Sequence, residues 1–134
     1  MSDNELPNVN SATIERMQLA AKNPNAGPVF MLNLNKYSSS AGFPDGALYK
    51  EYMQSISRLV SEVEGKILWR TPVNGQVVGS QDIHEVLGAW YPSIEAFLNI
   101  RNSPSSARNM ELREQAVKSA NLHWCNPYTV MRNP

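Results

Sequence analysis

The chain is predicted to take an α+β fold on two observations. Short runs of apolar β-type residues alternate with stretches whose apolar residues recur every three or four positions, and proline, glycine, serine and asparagine mark the joints between them. In order these give a helix and then βαββαβ, the split βαβ pattern of a ferredoxin-like sandwich, whose antiparallel sheet runs four, one, three, two.

The first helix is read from "SATIERMQLAAKNPNAG": Ser11 stands as N-cap, Ile14, Met17 and Ala21 fall at helical spacing, and Pro24 and Gly27 are stops. It is expected over 11–23, behind a polar leader, 1–10. Strand one is expected over Pro28 to Lys36, followed by a loop in "YSSSAGFPDGA". Leu48, Tyr52, Ile56, Leu59, Val60 and Val63 then mark a helix with one buried stripe, and Gly65 takes its C-terminal cap. "KILWR", Lys66 to Arg70, is strand two, and Asn74-Gly75 signals a tight turn in the connection that follows. "HEVLGAWY", His84 to Tyr91, is strand three.

Pro92 ends that strand, Ser93 caps a helix carrying Ile94, Phe97 and Leu98, and Ser103-Pro104 marks a second cap, so this helical region is broken near Asn102. Its second half, Ser105 to Asn121, is expected to bury Ala107, Met110, Val117 and Ala120. The last strand is placed at Leu122 to Val130, interrupted by Pro127, which marks either an edge position or an end near Asn126. A single domain over 1–134 is expected, because 134 residues suffice for one core and no repeat, linker or low-complexity tract divides the chain.

Charge and composition narrow the function classes. Twelve basic residues balance twelve acidic ones and are scattered, which leaves no footprint for a phosphate backbone, so no nucleic-acid partner is expected. The start, "MSDNELPNVN", lacks a secretory pattern and no apolar run approaches the roughly 20 residues of a membrane span, which predicts a cytoplasmic protein with no membrane partner. The one cysteine, Cys125, fits a reducing compartment. With two histidines, no CxxC and no HExxH, no metal site is expected, and with no GxGxxG or GxxxxGK[ST], no nucleotide cradle; no cofactor is expected.

Strands one and three are apolar on both faces. Phe30, Leu32 and Leu34 share one face while Val29 and Met31 precede Asn33 and Asn35 on the other, and Val86, Gly88 and Trp90 oppose Leu87, Ala89 and Tyr91. Helices cover only one face of this sheet, so a homodimer, two sheets packed face to face, is expected.

The segments "GPVFMLNLNKY", "GKILWR", "HEVLGAWYPSIEAFL" and the lone arginine of "MELREQAV", Arg113, resemble the domain of unknown function thirteen-thirty, a branch of the dimeric α/β-barrel superfamily. The resemblance runs from the first helix to about Leu122 and implies a ferredoxin-like fold, a homodimer and a cavity. The wider superfamily includes cofactor-independent monooxygenases, isomerases and cyclases, haem-degrading enzymes and stress proteins. The chain departs from the pattern in three places: Glu64-Gly65 where two glycines are usual, Ile83-His84-Glu85 where an aromatic-acidic pair opens strand three, and Trp90 where an arginine often precedes Tyr-Pro-Ser.

The predicted topology gathers Asn35, Lys36, Tyr37, Trp69, Arg70, His84, Glu85, His123 and Trp124 at one edge of the sheet. From these and the aromatic residues the candidate set is His84 and His123 as acid-base groups, because only histidine titrates near neutrality unperturbed. Asn33, Asn35, Lys36, Tyr52, Trp69, Arg70, Trp90 and Arg113 are the candidate substrate-binding groups: amides to orient a molecule, aromatics to wall an apolar or partly aromatic one, arginines for a carboxylate. The competing assignment pairs each amide with neighbouring backbone, places the aromatics in the core and leaves the arginines solvated or ion-paired. His123 and Cys125 are not a nucleophile-base pair, since residues two apart in a strand lie about 6.6 Å apart with parallel side chains. The expected protein binds a small-molecule ligand, either as a cofactor-independent isomerase, cyclase or monooxygenase or as a non-catalytic binding or stress-response dimer.

Overall fold

The computed structural model describes residues 9–127. Its elements are α1 (Ser11–Ala20), β1 (Val29–Tyr37), α2 (Ala47–Glu62), β2 (Lys66–Pro72), β3 (Glu85–Tyr91), α3 (Ile94–Leu98), α4 (Ser106–Ala116) and β4 (Val117–Cys125), with 3-10 turns at Ser39–Ala41 and Asn99–Asn102. The sheet is antiparallel in the order β2-β3-β1-β4, as the βαββαβ pattern requires. No helix of the described residues is long and apolar enough to cross a membrane.

Strand alternation decides what reaches the helices. Val29, Met31 and Tyr37 of β1 and Leu87, Ala89 and Tyr91 of β3 are buried beneath Tyr49, Tyr52, Met53 and Val60 of α2 and Leu112 and Ala116 of α4. Each fully buried large apolar side chain contributes about 1.5–3 kcal/mol. Glu62, at the end of α2, tethers the two helices: its carboxylate accepts from Ser105 N at 3.0 Å and from Ser105 Oγ at 2.6 Å, capping the start of α4. The Ser93 hydroxyl accepts from Ala96 N at 3.0 Å, the N-cap read from the sequence.

The expected boundaries shift in four places. α1 ends at Ala20, three residues early, and its N-cap is Asn10 rather than Ser11. The connection 73–84 is closed by Val73 N donating to His84 O at 2.9 Å, with no two-residue hairpin turn at Asn74-Gly75. Glu64, with φ of 65°, takes the left-handed position after α2, not Gly65. Gly65 is required for a different reason: a Cβ there would lie 2.8 Å from Tyr91 Cδ2 and 3.0 Å from Trp90 O.

The largest shift is at the last helix. α4 stops at Ala116 and β4 begins at Val117, five residues before Leu122, so the helical stripe assigned to Ala107, Met110, Val117 and Ala120 is replaced by Asn109, Leu112 and Ala116. Leu34 to Tyr37 of β1 would otherwise lack partners on that side; the ladder from Phe30↔Cys125 to Tyr37↔Val117 overrides the local helical spacing. Ser38 seals the junction, donating through N to Ala116 O at 2.8 Å and through Oγ to Gln115 O at 2.7 Å. The strand ends at Cys125, before Pro127; its expected continuation to Val130 lies outside the described residues.

Among the described residues no helix lies on the other face of the sheet. Phe30, Leu32 and Leu34 of β1, Val86 and Trp90 of β3 and Trp69 of β2 lie on it, with Trp69 40% exposed. Phe30 and Trp69 meet over Gly88, ring centroids 6.2 Å apart, where a Cβ would lie 2.7 Å from both rings.

Candidate functional site

A cavity of about 520 Å³ opens between the helical layer and the β1 and β4 side of the sheet. Its walls are apolar, with Met53, Ile56 and Leu59 of α2 facing Leu87 and Ala89 of β3. The polar side chains on it are few: Asn33 and Asn35 from β1, Tyr52 from α2, Tyr91 from β3, Ser106, Asn109 and Arg113 from α4, and Arg101. Few polar groups on an apolar concavity is the composition of a small-molecule site.

Asn33 and Asn35 reach this cavity because they continue the inward alternation of Val29 and Met31. Asn33 Nδ2 donates to Met31 O at 3.1 Å and to Leu87 O at 3.5 Å. Asn35, buried, donates through Nδ2 to the Tyr37 hydroxyl at 3.2 Å.

Beyond Asn35 lies a polar chain within the core. Tyr37 O–H donates to Glu85 Oε1 at 2.6 Å, Tyr49 O–H donates to Glu85 Oε2 at 2.8 Å, and Arg70 Nη1 donates to the Tyr49 hydroxyl at 2.6 Å. Arg70 also stands 3.6 Å from Glu85 Oε2, while Glu85 is 2% exposed. Burial first, and then the Glu85 carboxylate, push the pKa values of Tyr37 and Tyr49 far above the usual tyrosine range. Burial raises Tyr52 as well, against the hydrogen-bonded Arg113 guanidinium beside it.

The remaining candidates sit elsewhere. Trp69 and Trp90 pair with Gly88 and Phe30 on the helix-free face, so the aromatic wall expected from them is not part of the cavity; Lys66 Nζ lies 6.0 Å above the Trp90 ring. His123 pairs with Leu32 toward the C-terminal end of β4 and is exposed, because the early start of that strand carries it off the polar edge. Lys118 and Ser119 occupy that edge instead. His84 Nδ1 accepts from Tyr37 N at 2.9 Å, and its ring stacks on Phe43 at 5.6 Å. With Lys36, which pairs with Asp82, and Lys118 it lines a second hollow, of about 410 Å³. The two histidines therefore do not share a site, and neither lines the larger cavity. Arg70 belongs to the Glu85 chain, and Trp124 stacks under Arg16 at 5.5 Å. Among the described residues no group of three or more His, Cys, Asp or Glu side chains is gathered to hold a metal.

Sequence reasoning put Glu85 and Tyr37 at the polar edge without assigning them to the site, and passed over Tyr49. The available signal was Glu85 itself: it shares the alternation of Leu87, Ala89 and Tyr91, which places a carboxylate on the core face.

Four antiparallel strands in this order under helices on one face define a ferredoxin-like protein. The chain is similar to a protein of unknown function from Rhodopseudomonas palustris, at 23% identity and a TM-score of 0.72, covering 91% of this chain and 96% of that one. It is also similar in fold to a DABB family protein with a ferredoxin-like fold from Mesorhizobium loti, at 11% identity and a TM-score of 0.55 over 77% of this chain and 99% of that one. An Arabidopsis thaliana protein aligns at 13% identity with a TM-score of 0.59, covering 77% and 98%. No family model matches the chain, and no curated protein matches it.

Proposed function

We propose that this is a small-molecule-binding dimeric α/β-barrel protein whose ligand, apolar or partly aromatic, occupies the cavity between helices and sheet. The observation that carries this reading is the cavity: about 520 Å³, apolar-walled, with the Asn33 and Asn35 amides and Arg113 on it. Pairing through the helix-free face accounts for Leu32, Leu34, Val86, Trp69 and Trp90 standing there together, and the fold likeness to a DABB family protein supports it. The resemblance to the domain of unknown function thirteen-thirty belongs to the same proposal, as do a single domain over 1–134 and a cytoplasmic location.

A second reading, cofactor-independent isomerisation, cyclisation or oxygenation in that cavity, is favoured by one feature: the Glu85–Tyr37–Asn35 chain brings an ionisable group to within two hydrogen bonds of the cavity wall. In that reading Glu85, rather than His84 or His123, is the carboxyl group coupled to the cavity wall. Native mass spectrometry of gently purified protein tests the main proposal, with a dimer carrying an adduct of definite mass as the expected result. A bare monomer would contradict both the pairing and the ligand.

A further inference from the structure

The polarity of the cavity wall follows from hydrogen-bond directions that the partners themselves impose. Met31 O and Leu87 O are backbone carbonyls and can only accept, so the group of Asn33 turned toward them is its NH₂. The Glu85 carboxylate likewise accepts from Tyr37, whose single proton is then spent, so the Tyr37 oxygen faces Asn35 as an acceptor and takes an Asn35 N–H. Both amides are thus held with nitrogen toward the protein. Their Oδ1 atoms accept no hydrogen bond from the described residues, and no buried side-chain nitrogen or oxygen among those residues lacks a partner. These two oxygens therefore open onto the cavity that both residues line. Amides that in principle donate and accept have been fixed, at this wall, as acceptors.

Resting on the small-molecule reading above, we infer that the cavity selects a ligand with a hydrogen-bond donor, a hydroxyl or N–H, on an apolar body, the donor seated against Asn33 Oδ1 and Asn35 Oδ1. Arg113, a positive group on the same cavity, suits an acidic function elsewhere on that molecule. The chemical class is an apolar hydroxy acid or amino-acyl compound, not a ketone, ether or ester presenting only acceptors to β1. A site built to accept from a ligand hydroxyl rejects the analogue lacking it, because its own polar atoms are left buried and unpaired.

The probes are ω-hydroxy fatty acids of eight to twelve carbons, whose flexible chains adapt to the spacing between β1 and Arg113, each beside the isosteric fatty acid with CH₃ in place of OH. Isothermal titration is performed on the full chain. The methyl compound is the more hydrophobic, so an apolar cavity without oriented acceptors binds it at least as tightly. The expected result is the opposite order: at the best chain length the hydroxy acid binds about tenfold or more tighter. Asn33→Leu is expected to erase that preference while still binding the methyl acid. If both acids bind and the methyl compound is equal or tighter, the inference is overturned and the cavity reading stands. If neither binds at any length, both fall. Should Asn33→Leu fail to fold, the comparison of the two acids on the unaltered chain decides the matter alone.

Discussion

Replacing Tyr37 by phenylalanine removes one oxygen from the centre of the buried polar chain and nothing else. The ring keeps its stack on Phe43, centroids 5.3 Å apart, and its edge contact with Tyr49 at 4.9 Å, so no cavity term arises. The bond lost is donated to a buried carboxylate at 2.6 Å, and such charge-assisted bonds contribute about 1.5–3 kcal/mol. Asn35 loses its acceptor at the same time, at a cost near the lower end of about 1–3 kcal/mol because its amide borders the cavity. Tyr37→Phe is thus expected to destabilise the fold by about 2–4 kcal/mol. For a chain of this length that lowers Tm by about 6–15 °C. Tyr49→Phe removes a comparable bond, 2.8 Å, but Arg70 already stands 3.6 Å from the same carboxylate oxygen and can close on it. Its expected cost is about 1–2 kcal/mol. Urea unfolding followed by circular dichroism reads both. A Tyr37→Phe variant within about 0.5 kcal/mol of wild type, or a Tyr49→Phe variant that costs more, would refute the assignment of Glu85 as the hub of this buried hydrogen-bond chain.

Other expectations follow from particular positions. Glu64, exposed at φ 65°, is held where L side chains are disfavoured, so Glu64→Gly is expected to stabilise by about 0.5–1 kcal/mol in urea melts. Gly65→Ala next door, forced against Tyr91 and Trp90, is expected to cost about 1–3 kcal/mol by the same assay. Burial raises the pKa values of Tyr37, Tyr49, Tyr52 and Tyr91, so above pH 10 the folded chain retains protons that the unfolded chain releases. Their contribution is complete below about pH 10 and falls by about 1.4 kcal/mol per pH unit per tyrosine above it. Tyrosinate absorbance should therefore rise together with unfolding; ionisation of these four in the folded chain would contradict their burial. Leu32→Lys places a charge in the middle of the helix-free face and is expected to give a folded monomer by sedimentation, where an unchanged dimer would locate the pairing elsewhere.

The sequence by itself determined the element order and the faces of the strands. Alternation at Val29, Met31, Asn33 and Asn35 and the stripe of α2 are local periodicities, set by two residues per strand repeat and 3.6 per helical turn; they put both asparagines on one face of β1 and Tyr52 on the buried side of α2, but do not set which face of the sheet the helices cover. What needed the tertiary structure was register across strands distant in the chain. Pairing with β1 converted Val117–Asn121 from helix to strand, and that shift carried His123 toward the far end of β4 and brought Lys118 to the polar edge. A bulge between Ile67 and Trp69 likewise left Trp69 on the helix-free face while Arg70 turned inward to Tyr49. The direction of each Asn33 and Asn35 amide was also undetermined in the sequence, because asparagine offers both a donor and an acceptor. Backbone carbonyls, one tyrosine proton and one buried carboxylate, gathered only by folding, decide which end is left for a ligand.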